Sequence, residues 1–366
     1  MKLVALPLVL LALLAAGCGS SGSCNTRATD LVIRAVPQRG QQLTPAGMQL
    51  ARQIVDSRVQ LLGVSSPSVT LRGADEIVVH YAGSNAKPDV APILAEPGQL
   101  QVFDFEKDLA PPTVDHLRPT PYPTLYSLLW TVRAEAAKGA PEAYYLFGFR
   151  RRAKEQYPVL HGPDPTRKAL LAPYRGKQPS GTTILAVPAH REVVSGPVAT
   201  AATRPVGRSP DGREWYLFRI DPTAPNGPPE IGDNGLDESA IAAGDASAGD
   251  GQPEVTLGFT SHGVREFRAI TKGEYGRGRL VAGLHGSASR FNPLYAQHNA
   301  IVVDNKVEAT PYVDYTINAF RDGIVGNAVI ADMGSIAAAK NLALVLKSGS
   351  LPYLFKQVSL GPACLR

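Results

Sequence analysis

Cysteine is scarce in this chain, with three in 366 residues, at positions 18, 24 and 364. No Cys-x₂-Cys pair occurs, and none of the seven histidines (80, 116, 161, 190, 262, 285 and 298) lies four residues from another, so the common zinc spacings are absent. No Gly-x-Ser-x-Gly elbow exposes a serine nucleophile. Gly276-Arg277-Gly278 is followed by a glycine only at 283 and has no strand-to-helix context, which excludes a dinucleotide fingerprint. The acidic run Asp233-Asn234-Gly235-Leu236-Asp237-Glu238 puts Gly244 where an EF-hand loop needs a bidentate Glu. His285, Tyr295 and His298 share one segment with Asp304 downstream, and the ordinary reading of such histidines is hydrogen bonding or surface exposure. The expectation is a protein that is not an enzyme and uses no cofactor and no metal; its ligand-binding residues are not assigned.

Long apolar runs are nearly absent too. The one that stands out is Leu3 to Ala16, after Lys2, and it is shorter than the roughly 20 residues a membrane-spanning helix needs. It reads as a signal peptide over residues 1–17. The ending Leu14-Ala15-Ala16-Gly17-Cys18 is similar to a bacterial lipoprotein cleavage site, with Cys18 as the lipidated residue; ordinary cleavage and release is the alternative. Residues 18–28 form a Gly/Ser-rich flexible tether. The late apolar stretch from Ile324 to Leu346 is broken by Asn327, Asp332, Lys340 and Asn341, so no further span is expected. With Cys18 acylated, Cys24 and Cys364 remain as a candidate disulfide in an oxidising compartment.

Against these absences stand 35 Gly and 31 Pro, which point to many turns. Net charge is only +5, but it is unevenly spread: Arg150 to Lys177 holds eight basic and two acidic residues, and Ile220 to Glu254 holds eight acidic residues and no Lys or Arg. These are either two solvated faces, or a basic patch facing anionic headgroups or acidic polypeptide. Nucleic acid is not an expected partner.

Along the chain, Leu31 to Val36 reads as a strand. Thr44 caps a helix with Pro45 at its first position, its apolar face at Met48, Ala51, Val55, Val59 and Leu62, and Gly63 as the stop. Val69 to Leu71 and Ile77 to Tyr81 are strands, Asp89 to Ala95 a short helix, and Leu100 to Phe105 a strand, giving the β-α-β-β-α-β order of a ferredoxin-like unit. A helix from Tyr122 to Lys138 and strands at Glu142 to Phe149, Ile184 to Val187 and Trp215 to Ile220 follow. The aromatics Tyr144, Tyr145, Phe147, Phe149, Trp215, Tyr216 and Phe218 are either core or a groove for extended polypeptide. A helix at Val264 to Thr271 precedes a long loop, and a last helix carries Ile336, Ala339, Leu342, Ala343 and Leu346 on one face, ended by Gly349.

Several segments recur together in one family: Arg52 to Val64, Gly73 to Val79 and Leu94 to Leu100; then Pro253 to Phe259, His298 to Val307, Ile324 to Asn327 and Ala339 to Pro352. In this order they resemble the large extracytoplasmic domain of SecD, a membrane subunit of the protein-export machinery. The resemblance implies an α+β fold. A ferredoxin-like base is formed by residues 29–105 and 333–366, and an elaborated head is inserted at 106–332, with extra segments at 107–234 and 273–297. In the family, membrane helices would follow; the sequence ends at Arg366, and the expectation is a stand-alone, lipoprotein-like form without them. The implied function is non-catalytic: binding secreted or unfolded polypeptide on the outer face of the bacterial membrane, held by the lipid anchor, with export-channel membrane subunits as partners. The alternative is an envelope lipoprotein using the fold to bind another peptide, a glycan or a small ligand.

Overall fold

A computed structural model describes residues 24–37, 41–82, 90–116, 118–151, 153, 155–197, 203–221, 227–236, 242–243, 253–331 and 333–364. Its first and last strands lie side by side. Cys24–Val36 pairs antiparallel with Leu354–Cys364 on one flank and with Glu76–Ala82 on the other, and Ser68–Arg72 closes the sheet beyond. The helices Pro45–Leu61 and Val90–Ala95 supply Met48, Ala51, Val55, Val59, Val90, Ala91 and Leu94 to one core with Leu31, Ile33, Ile77, Val79 and Phe355 from the sheet. The first helix starts as its sequence directs: the Thr44 hydroxyl accepts from the Gly47 amide at 3.0 Å, and Pro45 takes the first turn, where no amide is missed. Gly63 ends it in the left-handed region, at φ 65°.

The strand Leu100–Asp104 departs from expectation. It does not join the first sheet. It pairs with Gln297–Val303, two hundred residues on, in a six-stranded sheet that continues through Lys306–Ala309, Arg191–Gly196 and Glu214–Arg219, with Tyr312–Val313 beside residues 297 and 298. The reason is two-sided burial. Ile301 and Val303 face one core with Leu100 and Val102, while Ala300 and Val302 face another with Phe103, Phe105, Tyr216 and Phe218. An edge place in the first sheet offers no such second layer. Asp304 and Asn305, at φ 50° and 61°, form the two-residue turn of the hairpin that follows. The Asp304 carboxylate reaches back to the Gly98 and Gln99 amides at 3.0 and 2.8 Å, fixing the crossing between the two sheets.

Two further corrections concern helices. The loop expected from Gly273 begins as helix: one helix runs Ser261–Leu284 despite four internal glycines after Thr271, and only the stretch beyond it is loop. Gly278 is needed there, because a Cβ would lie 3.1 Å from the Tyr295 carbonyl oxygen and from the Tyr315 ring. The last helix, Ile336–Lys347, does not lay Ala339, Leu342, Ala343 and Leu346 on the first sheet; they join the core of Leu100, Val102, Val255, Leu257, Ile301 and Ile330. Its other side reaches the first unit through Val345, which is fully buried and packs at Gly98. Between the two blocks, the helix Leu125–Ala136 (shorter than expected, because Thr124 is its cap) packs on a three-stranded sheet of Val159–Asp164, Ala143–Gly148 and Thr182–Val187. The result is a mixed α+β protein with several sheets and few long helices.

Arg58 ties the parts together. It projects from the first helix, is fully buried, and among the described residues has no carboxylate within ion-pair reach. Its guanidinium donates to the carbonyls of Ile93 (3.1 Å), Glu96 and Gly349 (3.0 Å), and to the Ser348 hydroxyl (2.9 Å). These lie at the C-terminal ends of two helices, whose last carbonyls have no partner within their own helix. Burial pulls the Arg58 pKa down to about 10, so it stays charged at neutral pH.

Candidate functional site

The segment Asp104-Phe105-Glu106-Lys107-Asp108 carries four charges, yet three of its carboxylates are almost wholly buried. The short helix Phe105–Asp108 turns them under the strand Gln297–Val303 and the long helix. Asp104 receives the Arg277 guanidinium, which also donates to Gln297 at 3.1 Å. Glu106 takes both the His298 amide (2.9 Å) and its Nδ1 (2.7 Å). Asp108 accepts the Asp104 amide at 2.8 Å, and Lys107 reaches Glu230 at 3.1 Å. Glu274, on the long helix, meets only the Asn299 side chain, at 3.4 Å, and its other oxygen has no partner.

Five carboxylates thus share Arg277, Lys107 and His298. Burial, then the proton shared with Glu230 and the Glu230 and Asp104 charges, pushes Asp108 up to about 9. Burial raises Asp104 to about 6, against the pull of Arg277. Glu274 is raised well above the carboxylate range by burial and by the charges of Asp104 and Glu106. Glu230 Oε2 is buried without a hydrogen-bond partner of its own. The arrangement stores protons at the junction of Leu100–Asp108 with the long helix. Among the described residues no group of three or more His, Cys, Asp or Glu is placed to hold a metal ion.

The far end of the long helix is different. Leu280 and Leu284, one turn apart, are 65% and 79% exposed. An open cleft of about 500 Å³ lies at this end, lined by Arg279, Gly286, Ala288, Ser289, Thr316 and Asn318. Arg279 donates to the Tyr275 hydroxyl (3.3 Å), which in turn reaches Asn318, so the cleft floor is held by side-chain hydrogen bonds.

The residues singled out in the sequence fall in several places. His285 stacks on Tyr295 at 5.0 Å, while His298 is buried against Glu106, so the two have separate partners. Asp304 serves the turn. Asp233 accepts from the Leu100 amide and the Ser350 hydroxyl, both at 2.7 Å, and acts as a tether. Cys18 lies outside the described residues. Cys24 and Cys364 are direct register partners in the first sheet. Of the aromatics, Phe147, Tyr216 and Phe218 are core, while Phe149 is 54% exposed. Missed from sequence was a ladder of rings beginning at Phe149: Tyr157 at 5.3 Å, Tyr126 stacked on Tyr157 at 3.9 Å, and Trp130 stacked on Tyr126 at 5.8 Å. The four residues come from three separate segments; helical spacing links Tyr126 and Trp130, and no local pattern joins these to Tyr157 and Phe149.

Among the described residues no helix is long and apolar enough to cross a membrane. Residues 235–353 match the family model of the SecDF P1 head subdomain. Over 106 residues the chain is 33% identical to the protein translocase subunit SecDF of Thermus thermophilus, which is 29% of this chain and 11% of that protein. Two solved structures are similar at 18% identity. SecDF in a super-membrane-facing form matches with TM-score 0.47, covering 91% of this chain and 30% of that one. A membrane component SecDF that enhances protein export matches with TM-score 0.44, covering 90% and 98%. The chain therefore spans about a tenth of the length of the curated relative it matches. The long helix, the buried hairpin and the last helix all fall within the matched residues, and the chain carries a SecD/SecDF-like domain.

Proposed function

We propose that this protein is a lipid-anchored, extracytoplasmic SecD-like domain that holds secreted or unfolded polypeptide and so assists protein export. The observation that carries the reading is the match of residues 235–353 to the SecDF P1 head subdomain. The exposed Leu280–Leu284 ridge and its cleft, inside those residues, supply the binding face. On this reading the four-stranded sheet with its two helices is a ferredoxin-like base, Cys18 carries the acyl anchor, and export-channel subunits are neighbours. Nothing in the reading calls for catalysis by this chain.

The test is site-specific photocrosslinking in cells. A photoreactive residue at 280 or 284 is expected to capture nascent secreted chains, and one at the exposed Gln60 of the base is not. Equal yields at all three positions, or no polypeptide adduct at 280 and 284, would overturn the assignment. A discrete peptide, glycan or small molecule retained through purification and lost on filling the cleft with Ala288→Trp would favour the alternative envelope lipoprotein. Incorporation of labelled fatty acid that vanishes with Cys18→Ser tests the anchor separately.

A further inference from the structure

We propose that the aromatic ladder of the middle segment is a docking face for an anionic phospholipid surface. The ladder lies outside the residues that match the SecDF head, so the inference goes beyond the polypeptide reading and does not depend on it.

Four rings form a continuous row: Trp130, Tyr126, Tyr157 and Phe149. Tyr126 and Tyr157 are nearly parallel, at 8°, and Tyr126 also stands edge-on to the buried Phe147. The middle of the row is thus anchored in the core of Leu125, Leu128, Leu129 and Leu185. Its two ends are open, with Trp130 44% and Phe149 54% exposed. Val159 and Leu160, on the strand paired with Ala143–Gly148, are also exposed, and Leu160 lies against Gly148 beside Phe149. Two large rings exposed at the ends of one stacked row are an apolar surface that calls for a partner.

Charge decides the occupant. The Arg133 guanidinium sits 4.2 Å over the Trp130 ring, itself exposed. At the other end Arg150 and Arg151 follow Phe149 directly and are exposed; the Arg150 amide closes the loop on Gln156 at 2.8 Å, next to Tyr157. Other charged groups nearby are Glu135, turned to Arg191, and Glu155, which faces Asp211. The ladder therefore ends in cations on both sides. Trp and Tyr favour the headgroup level of a bilayer, and arginine beside them meets phosphate. Polypeptide alone would satisfy the rings and leave the three guanidinium groups without a matching plane of charge.

The chain has two tryptophans, so Trp215→Phe leaves Trp130 as a local reporter in the full protein, independent of any acyl anchor. With phosphatidylcholine/phosphatidylglycerol vesicles carrying brominated acyl chains, Trp130 emission is expected to shift to the blue and be quenched. Replacing Arg133, Arg150 and Arg151 with Gln is expected to weaken this roughly fivefold per charge, about a hundredfold in all. Phe149→Ser should weaken it with the charges intact. No quenching by anionic vesicles, equal quenching by pure phosphatidylcholine, or a spectral shift produced by unfolded casein and not by vesicles would each overturn the proposal.

Discussion

The Asp108 proton offers the sharpest test of the buried charge network. In the unfolded chain Asp108 is an ordinary carboxylic acid, ionised above about pH 4. In the folded protein it holds its proton up to about pH 9. A raised acid pKa means that the folded state binds the proton more tightly, so stability is highest below the unfolded pKa and falls as pH rises toward the folded one. The slope is about 1.4 kcal/mol per pH unit for one proton. Asp104, raised to about 6, is still partly protonated at pH 6.5, but what remains of its titration is common to parent and variant and cancels in the comparison. Between pH 6.5 and 8.5 Asp108 alone therefore removes roughly 3 kcal/mol. Asp108→Asn keeps an oxygen for the Asp104 amide and an N–H for Glu230, so it should fold, and having no proton to take up it should exceed the parent at pH 6.5 by roughly 3.5 kcal/mol. Its further loss by pH 8.5 should be smaller than the parent's by roughly 3 kcal/mol. Urea unfolding at the two pH values reads the difference. Parallel losses in the two proteins would refute the placement of the proton on Asp108. Asp108→Ala, which leaves the Asp104 amide unpaired, should be weaker than Asp108→Asn at both pH values.

Three other outcomes follow from the packing. Arg58→Met should cost at least about 3 kcal/mol in urea unfolding, because it strands the Glu96 and Gly349 carbonyls, and Arg58→Lys should recover only part of it. Two glycines of the long helix should respond in opposite directions. Gly276→Ala, with open space around its Cβ, should raise stability by about 0.5–1 kcal/mol, while Gly263→Ala, whose Cβ would lie 2.0 Å from the Gly235 carbonyl oxygen, should lower it by about 2 kcal/mol or more. Intact-mass analysis of non-reduced protein should find Cys24 and Cys364 joined, and reduction should lower stability by up to roughly 6 kcal/mol; two free thiols would remove the bond.

What could be read from the sequence was local. Thr44, Pro45 and Gly63 define the first helix by capping and backbone freedom, and those effects act over three or four residues. The aromatic clusters at 144–149 and 215–218 declared themselves as strands for the same reason. What depended on distant partners could not be read. Leu100–Asp104 looks like a strand of the first unit, and only the two-sided burial of Gln297–Val303 draws it away. The glycines after Thr271 spell a loop until Tyr295 and Tyr315 close on Gly278. Asp104, Glu106 and Asp108 alternate with residues of another kind, like the charges of a solvated edge, and nothing nearby announces Arg277, His298 or Glu230. The signal that was there is the position of this charged run, which begins inside a strand buried at every residue with no turn residue between.

The pairing of Cys24–Val36 has a consequence for a chain made front end first. This strand lies between Glu76–Ala82, which follows it closely in sequence, and the far later Leu354–Cys364, so one of its long edges stays unpaired until that later segment arrives. Arg58 likewise waits for the Ser348 and Gly349 groups that complete its shell. Until then the first unit offers an open strand and a half-clothed cation. Completion of the first unit is therefore timed by the arrival of residues 348–364, and any delay of that segment leaves the early sheet unfinished.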